Sequence, residues 1–415
     1  MSDTQKHKKL NVPNLRFPGF DGEWERMKAS DLLEFFSTNS LSWEQLEFGG
    51  TGLLNLHYGL IHNGLPSQID INNSSLPAIK AGNEPRKITL CKEGDIAFAD
   101  ASEDTNDVGK VVEFVDCAGK NVVCGLHTIH GRDKLDITVP GFKGYAFSSR
   151  AFHDQIKRIA QGTKVFSISV GSFDEVCVGI PSKEEQKRIA GLLSLIDQRI
   201  AIQNKIIERY ESLIKALTDK TVDELLKGGM VPFNQMYRQA GEGGTPSTSI
   251  EQYYLRGTIP FIKIDDLSSK YLVNNKDFIN ELGLSKSSAW LIPSNSVIYS
   301  NGATIGAISI NTYPVSTKQG ILGVVPADGV NTEYLYYLMN SRYFSEQVQR
   351  IITEGTMKTA YLKDMNKIPC PLPSPKEQQK IVASLSALST KLESDKQALS
   401  YYESIKKYLL RSILI

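Results

Sequence analysis

The stretch PSKEEQKRI at residues 181–189 returns as PSPKEQQKI at residues 373–381. Further along, YES at 210–212 returns as YES at 402–404, so both ends repeat at the same offset of 192 residues. A constant offset means that the segment was duplicated without an internal insertion. A chain built from two tandem copies suits a partner that also has two halves, and duplex DNA is the most obvious such partner.

Each copy of the motif continues into a predicted long helix. Ser182 with Glu185, and Ser374 with Glu377, have the spacing of a helix-capping box. Apolar residues then recur in alternating steps of three and four, which is typical of a heptad stripe. The predicted stripe contains Leu193, Ile196, Ile200, Gln203, Ile207 and Tyr210 in the first copy and Leu385, Leu388, Leu392, Asp395, Leu399 and Tyr402 in the second. Gln203 and Asp395 are polar residues at equivalent positions of the stripe, where such residues often fix the register.

These helices are too long to be covered by a small core of their own. From Ser182 to Leu217 there are 36 residues, which as a helix would span about 54 Å. The other copy is the simplest partner, so we predict that the two helices pack side by side as an antiparallel, coiled-coil-like pair with a pseudo-two-fold arrangement. The alternative is that they are ordinary amphipathic surface helices on separate domains.

The segments between the helices have a different composition. Short β-like runs, such as 95–98, 110–115, 260–264 and 296–300, are separated by turns that contain glycine. The predicted fold class is therefore mixed α/β (α+β), with two globular domains joined by the two helices. The predicted domains are an N-terminal arm at 1–23, a first globule at 24–180, a first helix at 181–228, a second globule at 229–372 and a second helix at 373–415.

Composition narrows the function classes. The 415 residues include 47 basic and 46 acidic side chains, for a net charge of +1, so any nucleic-acid surface must be local or shared with a basic partner. The five cysteines show no C-x-x-C spacing, which argues against a disulfide framework or a zinc site and suits a reducing cytoplasm. The sequence has neither an apolar signal region at its start nor a run long enough to cross a membrane.

Motifs for catalysis are absent from the sequence. There is no G-x-x-x-x-G-K-[ST] phosphate loop, no H-E-x-x-H motif and no Asn-Pro-Pro-aromatic tetrad of amino-methylating DNA enzymes. His127 and His130 lie three residues apart, but no carboxylate or cysteine pattern accompanies them, so we interpret them as loop histidines and predict no metal site. We therefore predict no catalytic residue and no cofactor in this chain.

Recognition chemistry is what the remaining motifs favour. Several loops combine small residues, hydroxyls and lysines, which respectively allow close backbone approach, contact base edges and neutralise phosphates. Taken singly, each loop is more simply read as a plain turn. The predicted DNA-contacting residues are Lys110, His127, Thr163, Lys164, Thr245, Ser247, Thr248, Lys263, Asn301, Thr304, Lys318, Gln319, Thr356 and Lys358.

In combination, these features resemble the specificity (S) subunits of type I restriction–modification systems. The resemblance covers nearly the whole chain and depends on the doubled P-S-x-x-E-Q-x-x-I motif, on GTPST at 244–248 and on GTIPFI at 257–262 with DDL at 265–267. The opening VPNLRFPGF at 12–20 is also similar to that of the family. The first globule lacks the GTPST loop, and we expect FGGTG at 48–52 to lie near the matching place.

The resemblance implies a division of labour. Each globule would be a target recognition domain that reads one half of a split, asymmetric DNA sequence, and the helices would set the spacing and dock the partners. It implies two modification subunits that hold S-adenosylmethionine and methylate adenine N6, and two restriction subunits that use ATP and Mg²⁺. Two other readings remain open from the sequence: a self-contained DNA methyltransferase or nuclease, and a coiled-coil scaffold that does not bind DNA.

Overall fold

The computed structural model describes residues 11–117, 119–352 and 358–415, and these form two compact units. The first unit runs to Asn204 and also includes Ala398–Ile415, and the second unit is Lys205–Gln397. Each unit therefore combines one globule with parts of both long helices. The linear domain boundaries drawn from the sequence stay predictions.

The first unit is a mixed α/β globule. Its strands are β1 (Glu25–Lys28), β2 (Leu33–Phe36), β3 (Leu46–Glu47), β4 (Leu54–Leu56), β5 (Gln68–Asp70), β6 (Ala78–Ile79), β7 (Ile96–Ala99), β8 (Ala101–Ser102), β9 (Val111–Asp116), β10 (Val122–Cys124), β11 (Thr128–Asp133), β12 (Phe166–Ser167) and β13 (Cys177–Ile180). Its helices are α1 (Ala29–Leu32), α2 (Tyr58–His62), α3 (Phe142–Ser148) and α4 (Arg150–Ile159), and α5 (Lys183–Leu225) follows. The β-like runs expected at 95–98 and 110–115 are strands β7 and β9.

The second unit has the same mixture. Its strands are β14 (Met230–Pro232), β15 (Tyr237–Glu242), β16 (Ile259–Ile262), β17 (Tyr271–Leu272), β18 (Asp277–Ile279), β19 (Val297–Ser300), β20 (Ile308–Asn311), β21 (Ser316–Thr317), β22 (Ile321–Pro326) and β23 (Pro369–Pro371). Its helices are α6 (Glu281–Ser285), α7 (Thr332–Met339), α8 (Arg342–Ile351) and α9 (Leu362–Met365), before α10 (Pro375–Ser412). The mixed fold class predicted from the sequence is confirmed.

Sheet topology shows that the globules, and not only the helices, are duplicated. The five-stranded sheet has the order β2-β11-β7-β9-β5 in the first unit and β15-β22-β19-β20-β17 in the second. In both, the last pair is parallel and the others are antiparallel. A smaller sheet pairs β4 with β10 in the first unit and β16 with β21 in the second, in parallel both times. The sequences of the globules have diverged on a common framework.

Each unit contains one segment of α5 and one of α10, and these run antiparallel. In the first unit Lys406 Nζ lies 2.6 Å from Asp197 Oδ1, and the guanidinium of Arg199 lies over the ring of Tyr402. In the second unit Lys396 Nζ lies 2.8 Å from Glu211 Oε1. In these contacts the residue numbers fall along α10 as they rise along α5, as expected for antiparallel helices. The antiparallel pairing predicted from the heptad stripe is thus present within each unit.

The residues of the predicted stripe all lie on covered faces of these helices. Leu193, Gln203, Ile207, Leu385, Leu392 and Asp395 are buried, and Ile196, Ile200, Tyr210, Leu388, Leu399 and Tyr402 are half-buried. Leu217, the last residue counted in the predicted first helix, is 36% exposed, whereas Thr218 and Val222 further along α5 are buried. None of the described helices is both long and apolar enough to cross a membrane.

The two helix starts differ in how they use the capping box. Glu377 closes it as expected: its carboxylate accepts from Ser374 N at 2.9 Å, while its own amide donates to Ser374 Oγ at 3.4 Å. In the first copy Glu185 N donates to Ser182 Oγ at 3.3 Å, but the carboxylate of Glu185 instead binds Arg16 through two hydrogen bonds of 2.7 Å. This pairing raises the pKa of Arg16 and attaches the predicted N-terminal arm to the first unit.

The glutamine of the repeated motif fastens each helix start to its globule. Gln186 and Gln378 are buried, and each makes the same three hydrogen bonds. Gln186 accepts from Val139 N (2.9 Å) and donates to Ile137 O (3.0 Å) and Pro181 O (2.9 Å), whereas Gln378 accepts from Asn331 N (2.8 Å) and donates to Gly329 O (3.0 Å) and Pro373 O (2.9 Å). Because these amides satisfy backbone groups that have no strand partner, they explain why the motif is retained in both copies.

Further contacts repeat at the offset of 192. Tyr145 donates to Asp197 Oδ2 at 2.8 Å, and Tyr337 lies 2.9 Å from Ser389 Oγ. Ser149 and Ser341 each accept a hydrogen bond of 3.2 Å from the amide three residues later, which begins helices α4 and α8. The duplicated segment therefore preserves the packing of each helix pair against its globule.

We expect Gln378→Ala to lower the free energy of unfolding by roughly 1–3 kcal/mol, because three part-buried backbone groups lose their partner. Gln379→Ala is the matched control, since Gln379 is exposed on the same helix. Urea unfolding of the two variants and the parent chain measures the difference. Equal midpoints for the two variants would contradict the proposed role of the Gln378 side chain.

Candidate nucleic-acid interface

Equivalent positions in the two globules can be assigned from backbone hydrogen bonds alone. Four such bonds occur in both units at the same end of the five-stranded sheet. In the first unit they join Asn39 N to Cys124 O (3.2 Å), Gly125 N to Leu56 O (2.9 Å), Asp100 N to His127 O (3.1 Å) and Ile168 N to Asp100 O (2.9 Å). In the second they join Gly244 N to Thr317 O (3.1 Å), Lys318 N to Ile262 O (3.0 Å), Asn301 N to Gly320 O (3.0 Å) and Ala360 N to Asn301 O (2.9 Å). The same set of loops therefore meets in each unit.

In the second unit these loops are residues 243–249, 301–306, 318–320 and 358–360, and we call them loop cluster 2. The first three follow strands β15, β19 and β21, so the sheet fixes their positions, and residues 358–360 lie just before α9. Gln319 N donates to Thr245 Oγ1 at 3.4 Å, and Gly320 N donates to Glu242 Oε1 at 2.7 Å. The sequence predicted these loops separately, and the structure brings them together.

Glycine is required where the loops of this cluster cross. A Cβ atom at Gly243 would lie 2.1 Å from Thr317 O, and one at Gly244 would lie 2.2 Å from Ser288 Oγ. Gly320 has a φ of +85° and approaches Gly302 closely. Close backbone approach here serves the packing of loop against loop.

Loop cluster 2 exposes most of its predicted contact residues. Thr245, Ser247, Thr248, Thr304, Lys318, Gln319 and Lys358 are exposed. Lys263, at the edge of the cluster, is half-buried and its Nζ lies 2.8 Å from Asp277 Oδ1. Thr356 lies outside the described residues.

The burial of Asn301 contradicts the prediction that this residue contacts DNA. Its side chain is completely buried, and its Nδ2 donates to Ala360 O at 3.1 Å. The asparagine thus ties two loops together and has no surface that a base could reach. We withdraw it from the proposed contacts.

In the first unit the equivalent loops are residues 37–42, 100–110, 125–127 and 161–165, which we call loop cluster 1. His127 occupies the position of Gly320 and, like it, has a positive φ, of +54°. Its Nδ1 lies 3.0 Å from Asp100 Oδ1 while about half of the side chain stays exposed. Thr163 and Lys164 are exposed in the loop that follows α4. Lys110 is partly exposed, with its Nζ 2.9 Å from Asp107 Oδ1.

The loop that replaces GTPST in the first unit is not the one expected. Residues 48–52 follow β3, a strand that pairs with β6, and lie outside the four equivalent loops. The hydrogen bond from Asn39 to Cys124 instead matches that from Gly244 to Thr317, so residues 37–42 are the counterpart. That loop, STNSLS, is also rich in hydroxyl and amide groups. Sequence comparison missed it because only one residue of GTPST is kept in register, with Ser42 at the position of Ser247.

The first unit also presents aromatic side chains that the sequence reading did not select. Trp43 is 42% exposed and Phe48 is 60% exposed, and their rings stack with centroids 6.3 Å apart. The ring of His57 lies against Trp43, at 4.3 Å. Burial, together with the nearby charge of His127, lowers the pKa of His57. His57 holds the position of Lys263 but is buried, so the first unit has an aromatic packing contact where the second has a partly exposed cation.

The cations of the clusters fall into two groups. Lys110 and Lys263 are paired with aspartates, which reduces the charge they can offer to a phosphate. Lys164, Lys318 and Lys358 are exposed and form no salt bridge with another described residue. Unpaired lysines beside hydroxyl and amide groups are suited to a polyanion whose bases are also contacted.

Most of the second unit is similar to a known protein domain. Residues 238–400 match the family model of the type I restriction modification DNA specificity domain. The type I restriction enzyme MjaIX specificity subunit of Methanocaldococcus jannaschii is 32% identical over 176 residues, 42% of this chain and 40% of that protein. The type I restriction enzyme EcoR124I/EcoR124II specificity subunit of Escherichia coli is 27% identical over 152 residues, 36% of this chain and 38% of that protein. The chain thus spans about two fifths of the length of these curated relatives.

A solved structure extends the likeness in fold to both units. The crystal structure of the type I restriction-modification system S subunit from M. genitalium has a TM-score of 0.59 and covers 97% of this chain and 99% of that one, at 17% identity. The resemblance first drawn from the repeated motif is therefore confirmed. Residues 238–400 are thus similar to the type I restriction modification DNA specificity domain, and the chain is similar in sequence and fold to specificity subunits of those systems.

Proposed function

We propose that this chain is the non-catalytic DNA-recognition subunit of a type I restriction–modification complex. Loop cluster 1 and loop cluster 2 would each read one half of a bipartite, asymmetric DNA target. The observation that carries the proposal is that one sheet edge, fixed by the same four hydrogen bonds in both units, carries loops of different composition. A common framework with different contact loops is what the reading of two unlike half-sites requires.

The energetics support two half-sites of a few base pairs each. A good bidentate contact to a base discriminates by about 1–3 kcal/mol. Specific sites are bound by roughly 4–10 kcal/mol more tightly than other DNA. The exposed threonines, serines and Gln319 of loop cluster 2 could supply that discrimination, while Lys318 and Lys358 neutralise phosphates.

The partners follow from the same proposal. Two modification subunits would hold S-adenosylmethionine and methylate adenine N6, and two restriction subunits would use ATP and Mg²⁺. The near-neutral charge of the chain suits this arrangement, because partners would share the phosphate contacts. The exposed faces of α5 and α10 offer the docking surface, with Tyr401, Ile405 and Tyr408 among the exposed apolar residues.

We expect the chain alone to bind its target weakly and the complex with modification subunits to bind it tightly. The physical reason is the small net charge of +1, which leaves few unpaired cations to release counterions. Mobility-shift assays measure both affinities, on DNA that contains the motif methylated in the host and with or without the modification subunits. Tight and specific binding by the lone chain would contradict the proposal.

Replacing Lys318 and Lys358 together with alanine should weaken binding of the assembled complex equally for all sequences. Since each lysine that neutralises a phosphate contributes about 0.9 to the slope of log affinity against log salt, the slope should fall by about 1.8. The matched control replaces Lys87 and Lys120, which are exposed and lie outside both loop clusters and both long helices. An unchanged slope in the loop variant would show that these lysines do not neutralise DNA phosphates.

A matched insertion in both helices tests their role in spacing. Seven residues inserted at Ala201 and at Glu393, which occupy equivalent positions, keep the heptad phase and lengthen each helix by about 10 Å. At 3.4 Å per base pair, the gap between half-sites should grow by about three base pairs, with both halves unchanged. Methylome sequencing reads the result, and the same insertion at the exposed turn of Gly82 is the control. A gap of constant length would show that the helices do not set the spacing.

A further inference from the structure

Three buried side chains from distant parts of the sequence meet in the first unit. Cys91, Cys124 and His130 are 6%, 2% and 0% exposed, and one potential ligand atom from each lies within 4.8 Å of the others. The two sulfur atoms are 3.6 Å apart. We call this group the Cys–His cluster. His130 lies in β11, so it is not the loop histidine that the sequence predicted.

The imidazole of His130 has one nitrogen engaged and one available. Its Nε2 lies 2.8 Å from Asp95 Oδ2, and Arg132 donates two hydrogen bonds of 2.7 Å to the same carboxylate. The Nδ1 atom is buried and makes no hydrogen bond within the part of the chain that the structure describes. A carboxylate that holds one ring nitrogen is the usual support of a histidine whose other nitrogen binds a metal.

The second unit shows what the same framework does without this cluster. Cys91 N donates to Val122 O at 2.8 Å, as Ile292 N donates to Val315 O at 2.7 Å, so Cys91 and Ile292 are equivalent. By the strand registers already described, Cys124 corresponds to Thr317 and His130 to Gly323. A Cβ at Gly323 would lie 2.4 Å from Ile292 Cδ1, so the isoleucine fills the place of the imidazole. Aliphatic packing is therefore sufficient for this fold.

The contrast between the units gives the cluster its significance. Where the first unit has two thiols and an imidazole, the second has Ile292, Thr317 and Gly323, without a thiol or an imidazole. Buried polar groups are costly unless all are satisfied, and here a ring nitrogen is not. Stability of the fold does not explain that choice, whereas a bound ligand for the unused atoms does.

We propose that Cys91, Cys124 and the Nδ1 atom of His130 bind a zinc ion. Zinc–sulfur bonds of about 2.3 Å in a tetrahedral site place two sulfurs about 3.8 Å apart, close to the separation found here. Thiolate and imidazole are the ligands that zinc prefers, and water completes the fourth position. Two thiolates balance the ion, while Asp95 and Arg132 balance each other. The two thiol protons leave when the ion binds.

The site would stiffen loop cluster 1. Cys124 O accepts hydrogen bonds from both the backbone N and the side-chain Nδ2 of Asn39, at 3.2 and 3.1 Å. Cys124 is also followed directly by residues 125–127 of the same cluster. An ion held at Cys124 thus fixes two of the loops in place. This inference concerns the structure of the first unit and is independent of the proposed function.

Elemental analysis of the full chain, purified from zinc-supplemented cells without chelator, tests the proposal. We expect about one zinc per chain for the parent and for Cys177→Ser, since Cys177 is a half-buried cysteine of the same unit that lies in a different sheet. Cys91→Ser and His130→Gln should each lose most of the zinc. Zinc retained in both variants would overturn the proposal.

Cobalt substitution keeps the test valid if a variant fails to fold. Parent chain stripped with a chelator should, on titration with Co²⁺, develop the thiolate-to-cobalt charge-transfer band and the visible bands of a tetrahedral site. Zinc should then displace cobalt and abolish both signals. A parent chain that holds no zinc and develops no such bands, or that is isolated with Cys91 and Cys124 in a disulfide, would overturn the assignment.

Discussion

The structure depends on how each globule is held to the start of a long helix. A single glutamine does this in both copies, by three hydrogen bonds to backbone groups of the loop before α3 or α7 and of the segment before the helix. These groups lie outside any strand or helix ladder and consist of one donor and two acceptors. Only an amide side chain offers both an acceptor and two donors, so no other side chain of similar shape satisfies all three. The constraint leaves the opposite end of each sheet free to vary, and that end carries the loop clusters.

Duplication with selective change explains the division between framework and contact surface. The strand order of the five-stranded sheet, the serine caps of α4 and α8 and the hydrogen bonds at the sheet edge are the same in the two units. The side chains placed on that edge differ, with His57 in one unit where Lys263 stands in the other, and His127 where Gly320 stands. A framework fixed by backbone contacts allows such exchanges at low cost, since the exchanged side chains are not what holds the loops together.

Much of this organisation could be predicted from the sequence because it is local or repeated. The heptad stripe and the box formed by Ser374 and Glu377 depend on residues a few positions apart. The role of Gln186 could not be predicted, since Val139 lies 47 residues away. Asn301 was misassigned because composition marks a loop but does not show which side chain faces inward. Cys91, Cys124 and His130 have no ligand spacing, and only the sheet brings them together.

The first unit is closed by residues that are synthesised long after the rest of it. Ile413 and Leu414 are buried in its core, and Ser412 O accepts a hydrogen bond from Leu15 N at 2.9 Å. The second unit, by contrast, is one continuous run of chain. Lys205–Gln397 can therefore complete its packing without the last residues of the chain, whereas the first unit lacks part of its core until Ala398–Ile415 has been made.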